Sequence, residues 1–179
     1  SGAGDRRGAR HWVGDRGRAE LHVGSTALLV GCLAGILPTI SVDIRPLPVK
    51  LAGLMPMAGS VLDLPFASDS VESLSSLCVI EHIGLGRYGD PVDPEGSVKS
   101  ARELARVLQP GGSLYVSVPI GEPQVAFNAH RIFSIEQVLA MFSGLKRMEY
   151  LLVCGRGAIA SPAEATPPDS CVGLFHFSK

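Results

Sequence analysis

A basic surplus is missing from this chain, whose 16 Lys and Arg stand against 17 Asp and Glu for a net charge of -1. That balance offers no concentrated cationic surface to neutralise nucleic-acid phosphates, and overall charge does not suggest an anionic membrane either. Closely spaced cysteines are also missing. Cys32, Cys78, Cys154 and Cys171 are scattered without the pairing of a zinc site, so the expectation is free thiols in a reducing cytoplasm and no metal. No apolar run reaches the roughly 20 residues that a spanning helix needs. The longest, Ala27 to Ile40, contains Gly31, Gly35 and Pro38 and continues into Ser41-Val42-Asp43-Ile44-Arg45, so it reads as a buried helix rather than a membrane span or signal peptide. No internal repeat is visible.

What the chain has is a globular composition: 179 residues, 46% hydrophobic and 18% charged, enough for one domain with a substantial core. Residues 1–18 are rich in Gly and Arg and read as a flexible N-terminal segment; residues 19–179 read as a single domain. From Ala19 onward short apolar runs alternate with helical patterns, the signature of a mostly parallel sheet with helices on both faces. Strands are expected at Ala19 to Val23, Ile40 to Ile44, Ser60 to Leu62, Val71 to Ile80, Leu114 to Val118, Met148 to Val153 and Cys171 to Phe177. Between them lie a helix from Ala27 to Leu37, a weak helix or turn from Val49 to Met55, a helix capped by Asp93-Pro94-Glu95 and ended by Pro110-Gly111-Gly112, and a helix opened by a Ser134/Gln137 capping box.

In such sheets ligands bind beyond the carboxyl ends of the strands. The strand ends here carry Asp43, a carboxylate able to accept from two hydroxyls, and Glu81-His82, where an imidazole that titrates near neutrality could take a proton. Asp43 reads equally as a turn-forming aspartate and His82 as a hydrogen-bonded structural histidine. Gly84-Leu85-Gly86-Arg87-Tyr88-Gly89 spells GxGxxG, but Asp90-Pro91-Val92-Asp93 separates it from the next helix and no acid follows at the required distance. It reads as an acceptor-binding loop with Arg87 and Tyr88 as polar handles, and a nicotinamide-dependent oxidoreductase is only the third reading. Phe127-Asn128-Ala129-His130-Arg131-Ile132-Phe133 sets polar groups between aromatic anchors, as a substrate contact or as a loop tied to its own backbone.

Taken in order, Val42-Asp43-Ile44, Asp63-Leu64-Pro65-Phe66 and Leu108-Gln109-Pro110-Gly111-Gly112 leading into Ser113 to Pro119 resemble the class I S-adenosylmethionine (SAM)-dependent methyltransferases. The resemblance implies a doubly wound, seven-stranded sheet with an antiparallel last strand, and SAM as cofactor. It implies Gly24 and Ser25 at the methionine end, Asp43 and Ile44 at the ribose, and Ser60, Leu62 and Asp63 around the adenine. It also implies methyl transfer to a small hydroxylated acceptor, with His82 or His130 as base beside Glu81, and with Arg87, Tyr88, Asn128 and Arg131 holding the acceptor. The first motif departs from the family: His22 stands in the place of the acid, and Thr26 and Leu28 replace two glycines. Together with the Glu81 and Phe127 segments, this looks like a poorly characterised bacterial branch that accompanies glycan-assembly enzymes. A sugar acceptor follows from that likeness; a homo-oligomer remains open. The lost acid and glycines also support a second reading, a non-catalytic binding or partner domain of the same fold.

Overall fold

The computed structural model describes residues 19–24, 27–126, 129–155, 158–160 and 171–179. An eight-stranded sheet runs through them in the order β3-β2-β1-β4-β5-β10-β8-β9. Its strands are β1 (Glu20–Val23), β2 (Thr39–Asp43), β3 (Leu54–Ala58), β4 (Val71–Leu77), β5 (Leu108–Ile120), β8 (Lys146–Cys154), β9 (Ala158–Ala160) and β10 (Cys171–Ser178). A separate hairpin pairs β6 (Gln124–Ala126) with β7 (His130–Ile132). The first five strands are parallel, whereas β10 lies antiparallel between β5 and β8. This is the layout the resemblance implies, with β9 added at one edge. The reversal between β1 and β4 opens the crevice where such sheets bind ligands.

Parallel strands need both faces covered, and the residue pattern shows how. Leu21, Val23, Ile40, Val42, Leu74, Leu114 and Val116 share one face and form the main core with Ala101, Leu104 and Val107 of α2 (Gly96–Val107) and Val138 of α3 (Ile135–Met141). Phe142, just after α3, stacks on Phe177 of β10 at 4.8 Å. Behind the other face, α1 (Ala27–Ile36) packs through Val30 and Ala34 onto Leu54. Ser134 opens α3 with the expected capping box: its hydroxyl accepts from the Gln137 amide while the Gln137 side chain accepts from the Ser134 amide.

Several elements depart from the sequence expectation. The third strand is Leu54–Ala58, not Ser60 to Leu62, and of the weak helix or turn expected from Val49 to Met55 only a turn at Ala52-Gly53 forms. Pro56 sits in this strand because β3 is the sheet edge, where the missing N–H costs no ladder bond. Ser60 and Asp63 instead close a turn, bridged by the Asp63 N–H donating to Ser60 O at 3.0 Å. Helix α2 starts at Gly96; Asp93 precedes it, accepting from the Glu95 amide at 3.0 Å and from Lys99 Nζ at 2.6 Å. That helix ends at Val107, so Pro110-Gly111-Gly112 lies within β5, where the pairing with β4 shifts register.

The expectation of four free thiols is corrected as well. Cys154 and Cys171 face each other across β8 and β10 and form a disulfide, leaving Cys32 and Cys78 free. Their sequence separation of 17 hid the pairing because only the antiparallel register makes them neighbours. The compartment argument from scattered cysteines therefore falls. Among the described residues no helix is long and apolar enough to cross a membrane.

Candidate functional site

A cleft of about 280 Å³ opens at the carboxyl ends of β1, β2 and β4. Its floor is Val23-Gly24 from β1, Val42-Asp43-Ile44-Arg45 from β2, Gly59 to Leu62 from the turn after β3, and Leu77-Cys78-Val79 from β4; His82, Ile83, Tyr88 and Asp90 form the rim. Gly24, at φ +125°, is required by its surroundings: a Cβ there would meet Val79 Cγ2 at 2.9 Å. Gly59 is equally close to its neighbours, since a Cβ would meet Val42 Cγ1 at 2.7 Å. Two glycines thus bring backbone right to the cleft wall, as close approach to a ligand needs.

The proposed cofactor residues divide. Gly24, Asp43, Ile44, Ser60 and Leu62 all line the cleft; Ser25 lies outside the described residues. Asp43 Oδ1 accepts from the Arg45 amide at 2.7 Å, which fixes the carboxylate while leaving it lone pairs for further donors. Ser60 Oγ accepts from the Leu62 amide at 3.1 Å, so the hydroxyl shapes its own turn. Asp63 is exposed and outside the cleft, a correction of its adenine role. The motif it begins does a different job: Leu64 N–H donates to Glu103 Oε1 at 2.7 Å, and Arg106, paired with Glu103, donates to the carbonyls of Leu64 and Phe66. Asp63-Leu64-Pro65-Phe66 is a buckle between the cleft turn and α2.

After β4, the 3₁₀ turn Ile80–His82 presents His82 at the rim. Its Nδ1 lies 2.6 Å from the Ala129 carbonyl, which can only accept, so Nδ1 carries the proton and Nε2 is bare in the neutral ring. Burial, with Arg87 and His130 nearby, pushes its pKa below the ordinary histidine value. His82 is therefore a neutral base at pH 7. His130 and Tyr88 approach it edge-on, with ring centroids at 6.2 Å and 5.8 Å, while Arg45 and Arg87 lie over the Tyr88 ring at 5.1 Å and 5.6 Å. Glu81 is 1% exposed; Oε1 is 3.7 Å from His82 Nε2, Oε2 finds no partner, and burial pushes its pKa up to about 7.

Arg131 is not an acceptor handle. It is buried, and its guanidinium donates to Ile83 O, Ser97 Oγ, Asp93 O and Pro94 O. A side chain so engaged pins both ends of the rim loop to α2. Asp90 completes the loop, accepting from the amides of Gly84 at 2.6 Å and Tyr88 at 3.2 Å. The GxGxxG glycines serve this turn: Gly84, Gly86 and Gly89 have φ of 80°, 72° and 86°. Asn128 lies outside the described residues, as does most of the 155–170 loop.

Sequence reading missed Arg45 and Cys78. The signal for Arg45 was its place two residues after Asp43, and that for Cys78 was its position just past the most regular strand. Cys78 has φ +54°, and its Sγ lies 3.4 Å from Ser117 Oγ. Beneath the floor, His22 is fully buried, with Nδ1 at 2.9 Å from Ser75 Oγ and Nε2 without a partner. Burial lowers its pKa to about 4, so this stand-in for the family acid is uncharged. Among the described residues no group of three or more His, Cys, Asp or Glu is placed to hold a metal.

Known structures share this architecture. The SAM-dependent methyltransferase of Methanosarcina mazei matches with a TM-score of 0.63 at 10% identity, over 97% of each chain. The [4+2]-cyclase SpnF matches with a TM-score of 0.66 at 15% identity, over 97% of this chain and 80% of its own. Phosphoethanolamine N-methyltransferase 2 of Haemonchus contortus, in complex with SAM, matches with 0.63 at 13% identity, over 92% of this chain and 49% of its own. At such identities the likeness is one of fold, and one of these proteins is a cyclase. No curated protein matches the sequence. The family described as "Caenorhabditis protein of unknown function, DUF268" matches residues 60–152, a description that lends no support to a bacterial branch. That match takes in the buckle, the rim turn, α2, β5 and α3, more than half of the chain, and the chain belongs to this family, on the class I methyltransferase fold.

Proposed function

We propose that the protein transfers a methyl group from SAM to a small hydroxylated acceptor such as a sugar. The observation that carries this reading is the neutral His82, its Nε2 bare and at the rim of a cleft whose floor is Gly24, Asp43-Ile44 and Ser60 to Leu62. The residues present fit SAM: close backbone approach at Gly24 and Gly59, a carboxylate with spare acceptor capacity at a strand end, and apolar walls from Ile44 and Leu62. When bound, SAM would supply an electrophilic methyl group on a sulfonium. Asp43 would accept from ribose hydroxyls, and Ser60 and Leu62 would flank the adenine. His82 Nε2 would take the proton of the acceptor hydroxyl as its oxygen becomes methylated. The Ala129 carbonyl holds the tautomer that makes this feasible. Glu81, buried against the imidazole, would stabilise the imidazolium once formed, and His130, edge-on to His82, marks the acceptor side.

The open cleft lined by Gly24, Asp43 and Gly59 to Leu62 supports this reading over a non-catalytic partner domain, because it leaves space for a ligand where the sheet order reverses. The test is incorporation of labelled methyl from SAM into hydroxylated acceptors by the wild type and His82→Ala. Loss of at least a hundredfold in turnover with SAM affinity unchanged supports His82 as base. Equal turnover in the two proteins refutes that role.

A further inference from the structure

We propose that the apolar surface formed by α1 and residues 44–51 docks onto an anionic lipid bilayer. Helix α1 is Ala-Leu-Leu-Val-Gly-Cys-Leu-Ala-Gly-Ile, with no charged side chain, yet it buries only Val30 and Ala34. Leu28 and Ile36 are each 79% exposed, and a Cβ on Gly31 or Gly35 would meet nothing within 4 Å. A helix that is apolar all round is ordinarily buried on all sides, so among the described residues this one lacks its cover. Residues 44–51 extend the same surface: Ile44 and Leu51 are 50% exposed and Val49 40%, while Leu47 packs against the Val30, Ala34 and Leu54 cluster and joins the two parts. Contiguous exposed apolar surface of this kind marks an interaction site.

Charge decides the occupant. Exposed Arg45 and Lys50 sit among these apolar residues, and from Ala27 to Ala58 the one acid is Asp43, whose carboxylate is half-buried and accepts from the Arg45 amide. Apolar side chains with two cations among them, and no exposed carboxylate from Ala27 to Ala58, complement a bilayer of anionic lipids. Symmetric pairing of two copies through it would instead gather four cations with nothing to offset them. Ten residues of α1 extend about 15 Å, half the hydrocarbon thickness, so the helix would lie along the interface and not span it. The net charge of -1 conceals this local excess. Ile44 and Arg45 also line the cleft, so a docked protein would open its cleft beside the lipid surface, whatever reaction the cleft performs.

The experiment is co-sedimentation of the protein with phosphatidylcholine vesicles, with and without phosphatidylserine. Binding is expected on the phosphatidylserine vesicles. Lys50→Glu should weaken it more than about fivefold, the factor that one cation supplies at an anionic surface. The double substitution Leu28→Ser with Ile36→Ser should weaken binding to the phosphatidylserine vesicles at least tenfold, at an unchanged melting temperature because both positions are exposed. Absence of vesicle binding by folded wild type overturns the proposal. So does binding indifferent to the double substitution, or a stable dimer that the double substitution splits, which would make a second copy the cover.

Discussion

On one face of the central sheet Leu21, Val23, Ile40, Val42 and Leu74 stand under α2 and α3; on the other face the same strands carry Glu20, His22, Ser41, Ser73 and Ser75. The alternation of side chains along a strand makes both statements true of three adjacent strands. The first face is apolar core. The second is a largely buried polar file in which Glu20 accepts from the half-buried Ser73, His22 meets Ser75, and Ser41 donates to the Gly24 carbonyl at 3.1 Å. Stability is concentrated on the first face, and the residues that set this chain apart, His22 and the bare helix α1, belong to the second.

Four substitutions sharpen that contrast. Leu104→Ala, in the fully buried middle of α2, should cost about 3 kcal/mol or more in urea unfolding, because the transfer and cavity contributions add. A cost under about 1 kcal/mol would mean that the apolar face is not the main store of stability. Next comes pH. Burial raises the Glu81 pKa from 4.5 to about 7, so the unfolded state releases its proton first and stability falls as pH rises through that window. Burial lowers the His22 pKa from 6.5 to about 4, so stability is lost as pH falls from 6.5 towards 4. Each amounts to about 3 kcal/mol at most, and in the wild type the two slopes oppose each other. Glu81→Gln should unmask the histidine, giving stability that climbs from pH 4 to 6.5; a profile parallel to the wild type would sink this assignment.

Smaller effects follow at the surface. Ser134→Ala removes the reciprocal cap of α3 and should cost about 1 kcal/mol. Leu28→Ala on α1 should change unfolding stability by less than about 0.5 kcal/mol, the expectation for an exposed position, in contrast with Leu104. A loss as large as that at Leu104 would show that α1 is part of the core after all.

Local signals made much of this legible. The strand Glu20–Val23, the helix that follows it, β2 ending at Asp43 and the Ser134 cap all carry their chemistry within a few residues, so they could be read directly. Contacts made across the fold could not. Arg131 reads as a free cation beside a histidine, and only the closeness of Ile83, Ser97, Asp93 and Pro94 turns it into a strut. Asp63 read as a ligand contact because it starts a motif whose partners, Glu103 and Arg106, lie some forty residues on. Cys154 and Cys171 meet through antiparallel register, which no spacing rule encodes. Even so, Asp43, His82 and Tyr88, named from strand ends and loops, and Gly24, Ile44, Ser60 and Leu62, named through the family resemblance, do gather round one cleft.

The central claim is that this cleft holds SAM although the first loop has lost its acid and two glycines. Calorimetric titration of the folded protein with SAM and with its demethylated product tests it directly. The account predicts saturable binding of both, weakened at least tenfold by Asp43→Ala, the loss expected when a carboxylate that accepts from hydroxyls is removed. No heat of binding from either compound, or an affinity that Asp43→Ala leaves unchanged, would contradict it.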